Sequence, residues 1–127
     1  MKFRIIDDNE KLADELCRTL RAGRVGECEY INARTSSDVF TLAETIRLTI
    51  SDETVLLINV NLIVGNEKRQ TYQGTELLTW LRIKGMMNHC LLYSFQSLES
   101  LVRKNSKNLL LLSRGTSFIH LPNDIAD

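Results

Sequence analysis

Three polar side chains at the ends of two apolar runs are the residues best placed to do chemistry. Asp7 and Asp8 close the run at residues 3–6, and Asn59 ends the run at residues 55–58. A carboxylate can attack phosphorus, whereas the neutral amide of Asn59 is a very poor nucleophile. If the three side chains meet at one site, that site has an amide where a third carboxylate could have accepted a phosphoryl group.

Hydrophobic periodicity predicts strands that alternate with helices along the chain. The expected strands lie at residues 3–6, 27–33, 55–60, 90–93 and 118–121. The expected helices lie at residues 10–22, 39–50, 74–84 and 97–112. Such alternation is typical of an α/β fold, in which a parallel sheet carries helices on both faces.

Two polar segments mark where the first two helices begin. Asp7, Asp8 and Asn9 each carry a side chain that can cap a helix N-terminus. The segment from Thr35 to Asp38 resembles a capping box that has Asp in place of Glu. Each signal places a helix shortly after an expected strand.

The totals indicate one globular domain that spans residues 1–127. The chain is 43% apolar and 25% charged, and its 16 basic and 16 acidic side chains leave no net charge. The chain therefore has no global field that would attract nucleic acid. Arg18, Arg21 and Arg24 suit the end of a helix, where cations are favourable. No apolar run approaches membrane-spanning length, so we expect neither nucleic acid nor membrane as a partner.

The three cysteines, Cys17, Cys28 and Cys90, do not have the spacing of a metal site. Two of them fall in apolar periodic segments, so we expect buried free thiols. Free thiols indicate a reducing compartment. The apolar run that ends before Asp7 is too short for a signal peptide, and the expected location is the cytoplasm.

Several segments together resemble the receiver domain of two-component response regulators, over nearly the whole chain. The segments are RIIDDNE with the acidic pair, LLINVNL with Asn59, GTELLTWLR, LLYS and GTSFIHLP. The resemblance implies a flavodoxin-like (CheY-like) doubly wound five-stranded parallel sheet with strand order 2-1-3-4-5. It also implies a site beyond the carboxyl ends of the strands, where the first and third strands meet.

The resemblance gives the acidic pair and Asn59 their roles. Receivers hold a divalent metal with the acidic pair, a role that falls on Asp7 and Asp8. Asn59 stands where the family has the phosphoacceptor Asp. Its amide can donate a hydrogen bond to the acidic pair without repelling it, which would fix an unphosphorylated state. We expect no required cofactor and at most weak Mg²⁺ binding. The alternative is a solvated strand end with a helix cap.

Three further receiver positions fall near the ends of the last two strands. Ser94 takes the position of the hydroxyl that senses phosphate, and Phe118 that of the switch aromatic. The alternative is that they are a strand-end hydroxyl and a core aromatic. Leu121 takes the position of a Lys that neutralises phosphoryl charge. Loss of both the nucleophile and the Lys indicates an atypical pseudo-receiver domain.

Three segments are expected to differ in length from the corresponding segments of receiver domains. The segment between Asn59 and Gly74 is long, so residues 63–73 are expected to form a lid or docking loop. Residues 109–112 are expected to extend the fourth helix or add a turn. The fifth helix is expected to be missing or truncated, with its apolar surface covered by a partner, a second copy or a continuation past Asp127.

The leading hypothesis is a signalling module that binds protein partners or itself, through the fourth helix and the last strand, without phosphotransfer. It is not an enzyme on this hypothesis. One alternative is a working receiver that binds metal weakly and is modified elsewhere. The other is a small flavodoxin-like enzyme or ligand binder that uses the long loop as a lid over Asp7, Asp8 and Asn59. No nucleophile–base pair or phosphate-binding loop is visible for an enzyme.

Overall fold

The computed structural model describes residues 2–24, 26–65, 73–86, 89–94 and 117–121. These residues form parallel strands with flanking helices. The strands are β1 (Lys2–Asp7), β2 (Glu27–Asn32), β3 (Thr54–Asn59), β4 (Cys90–Ser94) and β5 (Ser117–His120). The helices are α1 (Glu10–Ala22), α2 (Val39–Thr49) and α3 (Gly74–Ile83), with a short 3₁₀ helix at Ala33–Thr35. Their bounds match the predicted elements to within a few residues.

The five strands form one parallel sheet in the order β2-β1-β3-β4-β5. This order confirms the predicted doubly wound, flavodoxin-like fold. The register aligns Asp7 with Asn32 on β2, and Asn59 with Tyr93 on β4. Because all strands run in the same direction, their polar last residues meet at one edge of the sheet.

Two apolar layers enclose the sheet, and β3 contributes to both. Leu56 and Ile58 lie in the layer formed with α2 and α3, whereas Leu57 lies in the layer formed with α1. All three side chains are buried, as the continuous apolar run of β3 predicts. Asp7 and Asn59 continue the α1 side of their strands, because successive side chains of a strand point to opposite faces.

Side-chain caps fix the starts of α1 and α2. Asn9 caps α1, because its Oδ1 accepts from the Leu12 N–H at 3.2 Å. Asp38 caps α2, because its Oδ1 accepts from the Thr41 N–H at 2.7 Å. The predicted capping box at Thr35 is therefore wrong: Thr35 ends the 3₁₀ helix, and Asp38 performs the capping itself.

The expectation of three free thiols is also wrong. Cys17 and Cys28 form a disulfide with a Cα–Cα distance of 5.5 Å, and only Cys90 is free. Cys17 lies on the buried face of α1, and α1 packs directly over the second residue of β2. This pairing removes the premise from which a reducing compartment was inferred.

Three predictions lie outside the described residues. They are the helix at residues 97–112, the fifth helix after Leu121, and the central part of the long loop at residues 66–72. Within the described ranges, the structure contains no helix both long enough and apolar enough to cross a membrane.

Candidate functional site

The Asp7 carboxylate forms the centre of the polar corner at the carboxyl ends of β1 and β3. It is completely buried. Its Oδ1 accepts hydrogen bonds from the backbone N–H of Asp8 at 2.8 Å and of Asn9 at 3.1 Å. These two bonds hold the carboxylate at the turn that leads into α1, whose first N–H groups favour a nearby negative charge.

Asn59 lies directly against this carboxylate. Its Nδ2 is 3.2 Å from both oxygens of Asp7, and its own Oδ1 accepts from the Asn61 N–H at 2.8 Å. The amide is 7% exposed. An aspartate here would place a second carboxylate where Asn59 donates, so the amide makes this close packing possible.

Tyr93 is the third side chain of the corner, and it was not among the residues predicted for the site. Its hydroxyl donates to Asp7 Oδ2 at 2.5 Å, and the residue is 2% exposed. Tyr93 is aligned with Asn59 in the β3–β4 register, and its ring lies in the α1-side core. Successive side chains of a strand point to opposite faces of the sheet, so Tyr93 and Ser94 in the segment CLLYS point to opposite faces. This alternation was the sequence signal that could have predicted which face Tyr93 occupies.

Burial and charge decide where the protons of this corner lie. Burial raises the pKa of the Asp7 carboxyl, the negative charge of Asp8 adds to this, and the hydrogen bonds from Tyr93, Asn9 and Asn59 oppose it. Burial, followed by the negative charge of Asp7, holds the pKa of Tyr93 well above its ordinary value. Tyr93 therefore keeps its proton and acts as the donor to Asp7.

Asp8 connects the corner to the loop after β3. It is partly exposed, and its Oδ1 accepts from the Ile63 N–H at 3.3 Å. At the far end of the same loop, the Gln73 N–H donates to the Leu62 carbonyl at 2.6 Å. The Gln73 side chain accepts from the Val64 N–H at 2.8 Å. The two described ends of the long loop are thus bonded to each other beside the acidic pair.

Gly74 lets α3 begin against the backbone of the corner. A Cβ at this position would lie 2.6 Å from the Val60 carbonyl oxygen and 2.8 Å from the Val60 Cα, and it would also overlap the carbonyl of Asn59. Only glycine permits this approach without displacing β3. The start of α3 and the position of Asn59 are therefore coupled through the backbone.

The remaining predicted positions are more dispersed. Ser94 is buried at the end of β4, where its carbonyl accepts from the Leu121 N–H at 2.9 Å. Phe118 packs against the layer of α2 and α3, on the other face of the sheet from Asp7. Leu121 follows β5 and lines an apolar groove of about 160 Å³ with Tyr93 and Ile119. The position expected for a cation thus contributes apolar surface.

The acidic corner fits a divalent cation poorly. A carboxylate offers about four lone-pair positions, and four internal donor groups already bond to Asp7. Mg²⁺ would have to displace one of them, and among the described side chains it would then find only Asp8 as a second carboxylate. Among the described residues, no three His, Cys, Asp or Glu side chains are grouped so that they could hold a metal ion.

Comparison with known proteins gives a match at the level of structure. No protein-family model matches the chain, and no curated protein matches it. The chain is similar to the structure of a response regulator receiver domain (CheY-like) from Methylobacillus flagellatus, with a TM-score of 0.60 and 18% sequence identity. The match covers 99% of this chain and 90% of that chain. At this identity the similarity shows a CheY-like fold.

Proposed function

We propose that this protein is a receiver-like signalling module that acts by binding protein partners, or a second copy of itself, without accepting a phosphoryl group. The observation that carries the proposal is the internal saturation of Asp7 by Asn59, Tyr93 and the backbone of the first turn. The corner keeps an acidic pair at the carboxyl end of β1, and the acceptor positions of its Asp7 carboxylate are used inside the molecule.

Two side chains of this protein argue against phosphotransfer. The amide of Asn59 is a very poor nucleophile. Leu121 lines an apolar groove where a receiver would place a Lys, so developing negative charge would meet hydrocarbon. Within the part of the chain that the structure describes, an amide thus stands in place of the attacking group, and a leucine in place of the compensating cation.

We place the interaction on the side of β5 and the predicted fourth helix. Ile119 on β5 is 39% exposed and lies beside the groove that Leu121 and Tyr93 line. A partner bound there would contact the ring whose hydroxyl holds Asp7. A second exposed apolar surface lies on α2 and α3, but its Phe40 ring already packs edge-on against Trp80 with centroids 5.1 Å apart.

Restoring the nucleophile alone should not restore phosphorylation. We expect the Asn59→Asp variant to give no stable phosphate adduct with acetyl phosphate and Mg²⁺, because Leu121 supplies no cation to the phosphoryl oxygens. Adding Leu121→Lys to Asn59→Asp should raise the adduct by at least about tenfold, since one well-placed charge can change such a rate by about 10²–10³. Intact mass spectrometry measures the phosphate adduct of both variants, at a pH where circular dichroism shows that they are folded.

The single variant Leu121→Lys is the matched control and should remain unlabelled, because it has a cation but no nucleophile. Strong phosphate labelling of the Asn59→Asp variant alone would show that Leu121 does not prevent phosphorylation. The proposed lack of phosphotransfer would then depend on Asn59 only.

A further inference from the structure

The Cys17–Cys28 disulfide lies beside an open, charged depression at the opposite end of the sheet from the acidic corner. The depression has a volume of about 710 Å³ and is lined by Cys28 but not by Cys17. Its other lining side chains are of both signs: Lys2, Arg21, Arg24, Glu27, Glu29 and Glu53. Both cysteines are buried, with Cys28 7% and Cys17 6% exposed, and of the two only Cys28 borders the depression, so a reductant would reach the bond from that side.

One of the lining cations contacts Cys28 through its backbone. The Arg21 guanidinium donates to the Cys28 carbonyl at 3.1 Å, which fixes a cation on the same residue. The neighbouring Glu29 is partly neutralised by Arg4 at 3.0 Å. A cation on this residue favours the thiolate that Cys28 becomes when it is released from a mixed disulfide, and a more stable thiolate is the better leaving group.

The disulfide also belongs to the core that supports the acidic corner. Cys17, Cys28 and Tyr93 lie in the same apolar layer on the α1 side of the sheet. The bond joins α1 to β2, which lies at the edge of the sheet formed by the described strands and pairs there with β1, the strand that ends in Asp7. Opening it would loosen the contact of α1 with the strands that carry the corner.

We propose that Cys17 and Cys28 form a thiol–disulfide exchange site, open to dithiol reductants in the folded protein, and that this is a covalent input of the module. The proposal rests on the proposed function, because a corner that takes no phosphoryl group needs its signal from elsewhere.

The exchange balances as a two-electron reduction by the dithiol. A thiolate of the reductant attacks Cys28 Sγ, the Sγ–Sγ bond breaks, and Cys17 leaves as a thiolate that takes a proton from solvent. The second thiol of the reductant then attacks the mixed disulfide, releases Cys28 and closes the reductant's own disulfide. The protein gains two electrons and two protons.

Cys90 provides an internal reference for measuring this reaction. It is buried, and burial raises the pKa of its thiol to about 12, so it stays protonated and unreactive in the folded state. The sequence contains three cysteines. Alkylation after denaturation should therefore label one thiol in the oxidised chain and three in the reduced chain.

The first experiment follows reduction of the folded chain by dithiothreitol, with acid quench, alkylation in denaturant and intact mass. We expect the change from one to three labels to proceed at a rate proportional to dithiothreitol concentration, at least about tenfold faster than global unfolding measured by circular dichroism. Reduction that is independent of reductant concentration and no faster than unfolding would overturn the proposal. So would a chain that never yields the singly labelled form after treatment with oxidised dithiothreitol.

Two matched variants test the predicted point of attack. Cys17→Ser leaves Cys28 at the depression, and Cys28→Ser leaves Cys17 on the buried face of α1. With a small aromatic disulfide reagent, we expect the folded Cys17→Ser chain to react at least about tenfold faster than the folded Cys28→Ser chain. Equal rates would contradict attack through the depression. Neither result depends on phosphodonor labelling, so the exchange site and the phosphate-inert corner can fail separately.

Discussion

Replacing Gly74 by alanine is expected to destabilise the protein by about 3 kcal/mol or more. The added methyl group would meet the carbonyl oxygen and Cα of Val60 at 2.6 and 2.8 Å, and also the Asn59 carbonyl. These are backbone atoms of the chain just at and after the end of β3, so no side-chain rotation can relieve the overlap. Urea unfolding followed by circular dichroism and by the fluorescence of Trp80, the single tryptophan, measures the loss.

Gly85→Ala is the matched control for this variant. Gly85 has a φ of +75°, but nothing lies within 4 Å of a Cβ placed on it. Its replacement should cost about 1–2 kcal/mol, the ordinary penalty of a left-handed backbone for alanine. A Gly74→Ala chain that is as stable as the native chain would contradict the close packing of α3 on β3.

Asn59→Asp is expected to cost about 3 kcal/mol of stability at pH 7. The substitution removes the amide that donates to both oxygens of Asp7 at 3.2 Å and puts a second carboxylate in its place. Two buried carboxylates at this distance cannot both be ionised, so the pair retains a proton and its pKa rises. The folded variant then binds more protons than its unfolded chain.

This difference in proton binding fixes the sign of the pH dependence. Because the folded state holds the extra proton, the free energy of unfolding of the variant falls as pH rises, by up to about 1.4 kcal/mol per pH unit. The free energy of unfolding that the variant loses relative to the native chain should thus be larger at pH 8 than at pH 5. Burial also raises the pKa of Asp7 in the native chain, but the amide makes that dependence shallower.

The exchanged pair Asp7→Asn with Asn59→Asp is the control, because it keeps one carboxylate and one amide in the corner. It should recover most of the stability lost in Asn59→Asp at pH 7. A single Asn59→Asp chain with native stability across this pH range would show that the two side chains do not share one buried site.

Much of the fold could be predicted because local and global signals agree. The alternation of strands and helices predicted the parallel sheet, and the apolar run at residues 55–58 predicted a central strand covered on both faces. Asn9 could be identified among the candidate caps of α1. The start of α2 at Val39 was predicted, but its cap was misassigned. Asp38 caps the helix without a partner at Thr35, and the four-residue pattern does not distinguish these two cases.

The candidate site could be predicted only in part. Asp7 and Asn59 end strands that the predicted order makes neighbours, so their approach followed from topology. Tyr93 was missed because its hydroxyl reaches Asp7 across β3, a contact that depends on the register of β4. The disulfide was missed because a spacing of 11 residues between Cys17 and Cys28 says nothing about how α1 is rotated over β2.

The most direct test of the account treats the unmodified chain with acetyl phosphate and Mg²⁺ and records its intact mass. The account predicts an unchanged mass, because Asn59 cannot attack phosphorus and the acceptor positions of Asp7 are filled from within. A stable phosphate adduct that maps to Asp7, Asp8 or Asn59 would contradict it.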